Sequence, residues 1–265
     1  MRRVAVLAAS GRELAPVRAA LETLARRRCG SLWDEVGQAG GVEVHLIKTG
    51  MGPAAAAAAA HAVLSDMALD AVVSTGYAGA VGPAGVGAVI LGTEILNWTM
   101  DHARASFSSD PALLAIAREA ADSARVPWSQ GAVATVENVV WRAEAKQALG
   151  KASGAIAVDM ESAAIAQAAA AVGVPFLLVR VVSDRADENL PMDFNLWLTP
   201  GGRVRAVAQL VRHPSILRAL FQMKRQVEQG AQNLACFFQA WWRLLGQEQA
   251  SARMHVPAVM GVRSW

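Results

Sequence analysis

The sequence predicts a three-layer α/β/α fold with a mixed, mainly parallel central sheet. Short apolar runs recur along the chain and alternate with alanine-rich amphipathic stretches, which is typical of a mainly parallel sheet covered by helices. The 265 residues, 54% of them hydrophobic, are enough for one domain with a sizeable core. Acidic residues adjoin two of the apolar runs, at the sheet edge where such folds bind ligands.

The predicted strands are apolar runs of four to nine residues: Val4–Ala9, Val42–Lys48, Ala71–Thr75, Gly87–Ile95, Gly131–Thr135, Ala155–Val158 and Phe176–Ser183. The predicted helices between them are Glu13–Arg28, Pro53–Met67, Pro111–Ala124, Val139–Leu149 and Glu161–Val172. Seven consecutive alanines, Ala54 to Ala60, belong to the second helix. Because alanine favours helix and has a small side chain, we expect this helix to pack closely against its neighbours.

Two short motifs place carboxylates where chemistry is expected. Asp159-Met160-Glu161 opens an alanine-rich helix, and Ser183-Asp184 ends the strongly apolar strand that begins at Phe176. In an open α/β sheet both positions lie at the ligand-binding edge. Two carboxylates there suit a reaction in which a sugar becomes cation-like while the leaving group takes a proton.

Together with three other segments in the same order, these motifs resemble the nucleoside phosphorylase and nucleosidase superfamily, particularly the methylthioadenosine/S-adenosylhomocysteine nucleosidases. The other segments are Val4 to Ala9 followed by Glu13, then Thr49-Gly50-Met51-Gly52, then Ser74-Thr75-Gly76-Tyr77-Ala78-Gly79. The resemblance covers roughly residues 4–210. It implies that the chain cleaves the N-glycosidic bond of a purine nucleoside and forms a homo-oligomer.

The resemblance also implies a role for each acidic residue. Asp184, beside Ser183, would protonate or hydrogen-bond N7 of the leaving base, and a carboxyl group at the end of a buried strand can stay protonated for this task. Glu161 would hold the 2′- and 3′-hydroxyls of the ribose, with Met160 packed against the sugar. Glu13 would activate a water molecule.

Glu13 separates hydrolysis from phosphorolysis. Phosphorylases of the resembled family commonly hold phosphate with arginines, one of them at about this position, and a carboxylate here would repel the anion. Tyr77 also stands where a small residue such as serine is usual. Hydrolysis is therefore predicted. Phosphorolysis, with phosphate as co-substrate, stays open because Arg12 or Arg185 could hold the anion from another direction.

The remaining site predictions concern the ribose and the base. The glycine-rich segments around Met51 and around Gly76-Tyr77 are expected to be loops that let the backbone approach the ligand. Val139 and Val140 match the segment whose backbone contacts the purine edge in the resembled family. Adenine is therefore the expected base, released from a 5′-substituted adenosine.

The C-terminal quarter is basic and rich in aromatic residues. Residues 203–265 contain nine Lys or Arg against two Asp or Glu. A helix is predicted from Arg203 to Arg212, and a longer amphipathic helix from Ser215 towards Leu245. We divide the chain into a nucleosidase-like catalytic domain, residues 1–212, and a basic, aromatic helical extension, residues 213–265.

The extension bears on the 5′ substituent. Its aromatic cluster contains Phe237, Phe238, Trp241 and Trp242. These residues indicate either a membrane-interface helix or a helix packed on the domain or in a dimer interface. The segment from Leu210 to Leu217 also resembles the ending of hopanoid-associated superfamily members, which implies adenosylhopane as substrate. The alternatives are a methylthioadenosine/S-adenosylhomocysteine nucleosidase with a dispensable tail and a non-catalytic nucleoside- or lipid-binding protein.

Composition limits cofactors and location. Cys29 and Cys236 match no metal-ligand spacing, and no cluster of His, Cys and Asp suggests a metal. Neither a metal nor another cofactor is expected, and no partner nucleic acid is predicted. The apolar run after Arg3 is too short for a signal peptide, and no uninterrupted apolar window reaches about 18 residues. We expect a cytoplasmic protein, peripheral at the inner face of the membrane if the C-terminal helix binds lipid.

Overall fold

The computed structural model describes residues 3–22, 24–29, 32–99, 102–198, 201–202 and 215–254. Ten strands in this part of the chain form one sheet: β1 (Arg3–Ala8), β2 (Leu24–Cys29), β3 (Leu32–Ala39), β4 (Val42–Lys48), β5 (Ala71–Ala80), β6 (Val89–Thr99), β7 (His102–Ser108), β8 (Trp128–Thr135), β9 (Ala157–Asp159) and β10 (Phe176–Asp184). The longer helices are α1 (Gly11–Arg18), α2 (Pro53–Asp66), α3 (Pro111–Ala124), α4 (Ala143–Ser153), α5 (Ser162–Ala171) and α6 (Ser215–Met254).

The sheet is mixed, as predicted. Its strand order is β2-β3-β4-β1-β5-β10-β6-β8-β9, with β7 beside β6. Strand β1 runs parallel to β4 and β5, and β5 runs parallel to β10, whereas β6 is antiparallel to β10. Strand β9 also pairs with β5. The neighbouring strands β5, β10, β6, β8 and β9 therefore form a closed ring within the sheet. Since β1 and β10 are both parallel to β5 and flank it, their carboxyl ends lie at the same edge of the sheet.

Helices cover both faces of the sheet and confirm the three-layer prediction. On one face, α1, α3 and α6 share a core with the sheet, and on the other face α2 and α5 share a second core. The alanine run contributes Ala56 and Ala60, which are fully buried in the same core as Ala166 and Ala169 of α5. These small side chains let the two helices pack closely, as the sequence indicated.

The predicted helix Glu13–Arg28 is wrong beyond Arg18. Helix α1 ends there, and residues 24–29 form β2, which pairs with β3. Strands β2, β3 and β7 were missing from the sequence prediction. The side chains of β7 are mostly exposed, and those of β2 that are described are too, so an apolar run does not mark either strand. Pairing with neighbouring strands, rather than local sequence, decides their conformation.

Two further boundaries differ from prediction. Helix α4 begins at Ala143 rather than Val139, which leaves Val139 and Val140 in the connection before it. Strand β5 continues to Ala80, so the segment from Gly76 to Gly79 is strand rather than loop. Hydrogen-bonded pairing with β10 and β9 extends this strand past its glycines.

Helix α6 packs on the sheet through its aromatic half. Phe237, Phe238 and Trp241 are fully buried, and Trp242 is 2% exposed. At Gly40, an added Cβ would lie 2.1 Å from the carbonyl oxygen of Trp242, so only glycine permits this approach. Of the two alternatives that the sequence left open for these aromatic residues, the structure shows packing on the domain, because they fill the core shared with α1 and α3.

The predicted helix Arg203–Arg212 lies outside the described residues. Among the helices that the structure describes, none combines the length and apolar character needed to cross a membrane.

Candidate active site

A cavity of about 520 Å³ lies where β1 and β10 end. Its lining includes nine residues predicted from the sequence: Glu13, Met51, Tyr77, Val139, Val140, Met160, Glu161, Ser183 and Asp184. Gly76, the tenth predicted residue, lies directly behind Glu13 rather than in the lining. Helix α6 adds Met223 and Val227 to the cavity wall, which the sequence did not predict.

Glu13 is fixed at the amino-terminal end of α1. Its backbone N–H donates to Ser10 Oγ at 3.4 Å, and Ser10 Oγ donates to Glu13 Oε2 at 2.8 Å. The backbone N–H of Tyr77 donates to the other carboxylate oxygen, Oε1, at 3.3 Å. Negative charge in the first turn of a helix is favoured by the exposed N–H groups there. The carboxylate is thus held in one orientation beside the cavity.

Gly76 is required by the close approach of two charged groups. An added Cβ there would lie 2.5 Å from Glu13 Oε1 and 2.6 Å from Arg180 Nη1. The residue also has a φ of +141°, which side chains rarely allow. Glu13 Oε1 and Arg180 Nη1 therefore both lie on the side of Gly76 where a side chain would project, and any larger residue at this point would displace them.

Arg180 is a site residue that sequence reasoning missed. It lies within β10, is 1% exposed, and donates from Nη2 to Ser162 Oγ at 2.8 Å and to Ser74 Oγ at 3.1 Å. Burial opposes its charge, but the carboxylates of Asp159, Glu161 and Glu13 outweigh that effect and raise its pKa. A lone arginine inside an apolar strand was the available signal, because such a charge needs acidic partners.

Asp159 has a structural role in this arrangement. It accepts hydrogen bonds from Thr135 Oγ1 at 2.7 Å and from Arg180 Nε at 2.8 Å, and Ser162 Oγ also donates to it. These donors hold the buried carboxylate in one orientation at the edge of the cavity. Asp159, the first residue of the Asp-Met-Glu motif, thereby compensates the buried positive charge of Arg180.

Glu161 lies at the junction of β9, α5 and α2. It is 9% exposed, and its Oε1 accepts a hydrogen bond from the backbone N–H of Gly52 at 2.9 Å. Burial is the main cause of a raised pKa for this carboxyl, and the negative charge of Asp159 adds to it. Arg180 and the Gly52 N–H act in the opposite direction. Glu161 thus presents a hydrogen-bonding carboxyl group to the cavity near Met160.

Asp184 ends β10 and is 6% exposed. Ser183 Oγ donates to its Oδ1 at 2.6 Å, and the ammonium group of Lys146 donates to its Oδ2. Lys146 comes from α4 and is fully buried. Helix α4 therefore brings a basic side chain into contact with the carboxyl group at the end of β10. No sequence motif identified Lys146.

Asn195 forms two hydrogen bonds with the backbone of Val139, in the segment that is expected to contact the base. The backbone N–H of Val139 donates to Asn195 Oδ1 at 2.8 Å, and Asn195 Nδ2 donates to the Val139 carbonyl at 3.0 Å. The backbone N–H and C=O groups of Val139, which could otherwise hydrogen-bond a purine, therefore each have a partner within the protein. Val140, the next residue, also lines the cavity.

The two arginines considered for phosphate binding differ in position. Arg12 lines the cavity. Arg185 is exposed, lies outside the cavity lining, and donates to Asp187 at 2.8 and 2.9 Å. Within the described part of the chain, no group of three or more His, Cys, Asp or Glu residues is placed to hold a metal ion.

Comparison with known proteins agrees with this geometry. The family profile described as "Phosphorylase superfamily" matches residues 3–210. The 5′-methylthioadenosine/S-adenosylhomocysteine nucleosidase of Chromohalobacter salexigens is 28% identical in an alignment of 213 positions that covers 75% of this chain and 91% of that protein. Its counterpart in Shewanella loihica is 27% identical over 228 residues, covering 80% and 99%.

A solved structure shows the same architecture. The 5′-methylthioadenosine/S-adenosylhomocysteine nucleosidase of Neisseria meningitidis, in complex with methylthio-immucillin-A, superimposes with a TM-score of 0.72 at 25% identity. The match covers 92% of this chain and 99% of that one. With the family profile spanning most of the sequence, the chain belongs to the phosphorylase superfamily.

Proposed function

We propose that this protein hydrolyses the N-glycosidic bond of a 5′-substituted adenosine and releases adenine. The observation that carries the proposal is the convergence of Glu13, Glu161 and Asp184 on one cavity. Relatives that are 27% and 28% identical over the aligned regions are named as nucleosidases of adenosine derivatives, which supports the same reaction class.

In this reaction each carboxyl group has a separate task. Glu161 holds the ribose hydroxyls while C1′ gains positive charge, and negative charge nearby stabilises that state. Glu13 accepts a proton from water as the new C1′–O bond forms. Adenine leaves with the electron pair of the C1′–N9 bond, and the protonated Asp184 carboxyl group gives its proton to N7, so that neutral adenine and a free sugar result. The proton that Glu13 has taken from water then returns to Asp184 by exchange with solvent.

Arg180 supports the water-activating group. Its Nη1 and Glu13 Oε1 both lie close to Gly76, so a water molecule beside Glu13 also has a fixed positive charge nearby. Val140 is the residue we assign to the adenine edge, since Asn195 engages the peptide groups of its neighbour Val139. Met51 and Tyr77 then lie beside the ribose.

Hydrolysis is preferred over phosphorolysis for an electrostatic reason. A phosphate dianion near Glu13 would meet a carboxylate held in place by Ser10 and Tyr77. Arg12 is the cavity arginine that could offset this repulsion, and Arg185 is turned to Asp187 instead. A phosphate-dependent reaction therefore stays as the second candidate, carried by Arg12.

We further propose a large apolar 5′ substituent. Besides the acidic groups, the cavity lining contains the apolar residues Leu190, Phe194, Met223 and Val227. Beyond it, α6 exposes Leu217 (57%) and Phe221 (65%) to solvent. A lipid-bearing nucleoside such as adenosylhopane is compatible with these apolar side chains in the cavity lining, and the resemblance of the tail points the same way.

The first half of α6, residues 217–229, is largely exposed. We propose that this surface binds a membrane. Leu217 and Phe221 lie among the exposed basic residues Arg218, Lys224 and Arg225. Basic and apolar residues on one helix favour binding at an anionic lipid surface. A cytoplasmic protein that is peripheral at the inner membrane face, and that forms homo-oligomers, is consistent with this role.

The experiment compares adenine release from methylthioadenosine and from a long-chain 5′-alkyl adenosine, each with and without phosphate. We expect phosphate-independent release and a higher kcat/KM for the long-chain substrate. A higher kcat/KM for methylthioadenosine would contradict the lipid-bearing substrate. It would favour methylthioadenosine, which the names of the relatives include. Strict phosphate dependence would make the enzyme a phosphorylase, and ligand binding without turnover would indicate a non-catalytic protein.

A further inference from the structure

Lys146 makes a buried contact that the proposed reaction does not yet use. Its side chain is fully buried, and its ammonium group donates to Asp184 Oδ2, to the carbonyl of Arg185 at 2.9 Å and to the carbonyl of Glu188 at 2.8 Å. A lysine ammonium group has three hydrogens to donate. All three are therefore used on the carboxylate and on the backbone that follows it.

Helix α4 is docked so that this contact can form. Lys146 is the buried residue of α4, whereas the ends of the helix are largely exposed. Gly150, one turn later on the same face, lies so close to β5 that an added Cβ would be 2.1 Å from the Val81 carbonyl oxygen. The glycine brings the helix against the sheet, and the lysine then reaches past it to Asp184.

Stability alone does not account for a lysine at this position. Replacing a buried ion pair by apolar side chains of similar size is often neutral or stabilising, because burial of two charges is costly. A methionine or leucine would fill the contact of α4 with the sheet. A charge that joins Asp184 to its own turn instead fixes the position and orientation of one carboxylate that lines the active-site cavity.

We propose that Lys146 is the positioning residue for the leaving-group step. It holds the Asp184 carboxyl group and the Arg185–Glu188 turn in one geometry, while Ser183 holds the second carboxylate oxygen. Lys146 does not touch the substrate and acts through Asp184. The inference rests on the proposed function, since it assigns Lys146 to departure of the base rather than to water activation.

The test uses two substrates that differ in their leaving group. Methylthioadenosine loses adenine, which needs a proton, whereas 4-nitrophenyl 5-methylthio-ribofuranoside loses a stable phenolate, which does not. For Lys146→Met we expect kcat on methylthioadenosine to fall about 100-fold, the scale of lost general acid catalysis. On the nitrophenyl substrate we expect less than about a threefold change, because no acid is needed.

Matched variants separate positioning from folding. Lys151→Met removes an exposed lysine from the same helix and should leave both rates unchanged. Asp184→Asn should show the same substrate dependence as Lys146→Met. The double variant should be no slower than Asp184→Asn alone, since two residues that act as one unit are not additive.

Each outcome decides between the alternatives. Equal loss on both substrates, or additive losses in the double variant, would overturn the inference and make Lys146 a structural residue. If Lys146→Met does not fold, Lys146→Gln and the double variant, which removes both charges, give the same comparison. A wild-type protein inactive on both substrates would contradict the proposed function instead, so the two failures are distinguishable.

Discussion

Arg180 Nη2 lies 2.6 Å from Asp159 Oδ2 in an ion pair with both side chains at most 2% exposed. The pair joins β10 to the end of β9, and it places a permanent positive charge beside Glu13 and Glu161. Without Arg180, the carboxyl groups of Asp159, Glu161 and Glu13 would lose the positive charge that they share. The acidic site therefore depends on a cation that comes from the middle of an apolar strand.

Replacement of Arg180 by methionine should destabilise the protein by about 3–5 kcal/mol, the usual cost of leaving a buried charge without its partner. The free energy of unfolding from urea titration measures the loss. Arg185→Met is the matched control, because Arg185 is exposed and should leave the urea midpoint nearly unchanged. Equal midpoints for the wild type and Arg180→Met would show that the pair has no net role.

Glu13→Gln should reduce kcat about 100-fold with a small change in KM, because the amide cannot accept a proton from water. Steady-state adenine release from methylthioadenosine measures both constants. Glu119→Gln changes an exposed glutamate on α3 and should have no effect. Unchanged turnover in Glu13→Gln would move water activation to another group.

His45 predicts a pH-dependent contribution to stability. Its Nδ1 lies 2.7 Å from Asp34 Oδ2, and its Nε2 lies 2.9 Å from Glu43 Oε1, which also pairs with Arg3. Burial alone would lower its pKa, but hydrogen bonds and charges from both carboxylates outweigh burial and raise it. The protonated form is thus favoured in the folded protein.

The sign of the effect follows from this direction. A group whose pKa is raised by folding stabilises the protein below its unfolded pKa of about 6.5, and that stabilisation is lost as the pH rises through the folded pKa. The difference in unfolding free energy between the wild type and His45→Gln should therefore shrink from pH 5 to pH 9. A difference that grows with pH would contradict the raised pKa.

Leu217→Ser with Phe221→Ser should weaken binding to anionic liposomes, because it removes the two large apolar groups that the first half of α6 exposes. Vesicle co-sedimentation at fixed ionic strength measures the bound fraction. Val172→Ser is the control, since Val172 is 57% exposed elsewhere on the surface. Equal binding by all three proteins would exclude this half of α6 as the lipid-binding surface.

The sequence predicted what repeating patterns determine. The apolar runs located most of the strands near the site, and the Asp-Met-Glu and Ser-Asp motifs located two of the acidic residues. Exposed strands such as β2 have no such pattern, since their conformation depends on pairing with distant residues. The aromatic residues of α6 show the limit of an amphipathic pattern, which marks a buried face without saying what buries it.

Lys146 and Arg180 were missed for a related reason. A single charged residue in a helix or a strand is usually exposed, so its burial beside a carboxylate depends on how separate elements meet. Lys146 reaches Asp184 across 38 positions of sequence, and Arg180 reaches Ser74 across 106. Pairs this distant become visible only once the fold is known.

The most direct test is adenine release from methylthioadenosine in phosphate-free water enriched in ¹⁸O, followed by mass spectrometry of the sugar. The proposed hydrolysis predicts free methylthioribose with one ¹⁸O at C1 in the first product formed, before exchange with solvent. In Glu13→Gln, formation of the labelled sugar and release of adenine should fall together. Absence of adenine until phosphate is added, with a sugar 1-phosphate as product, would contradict the account.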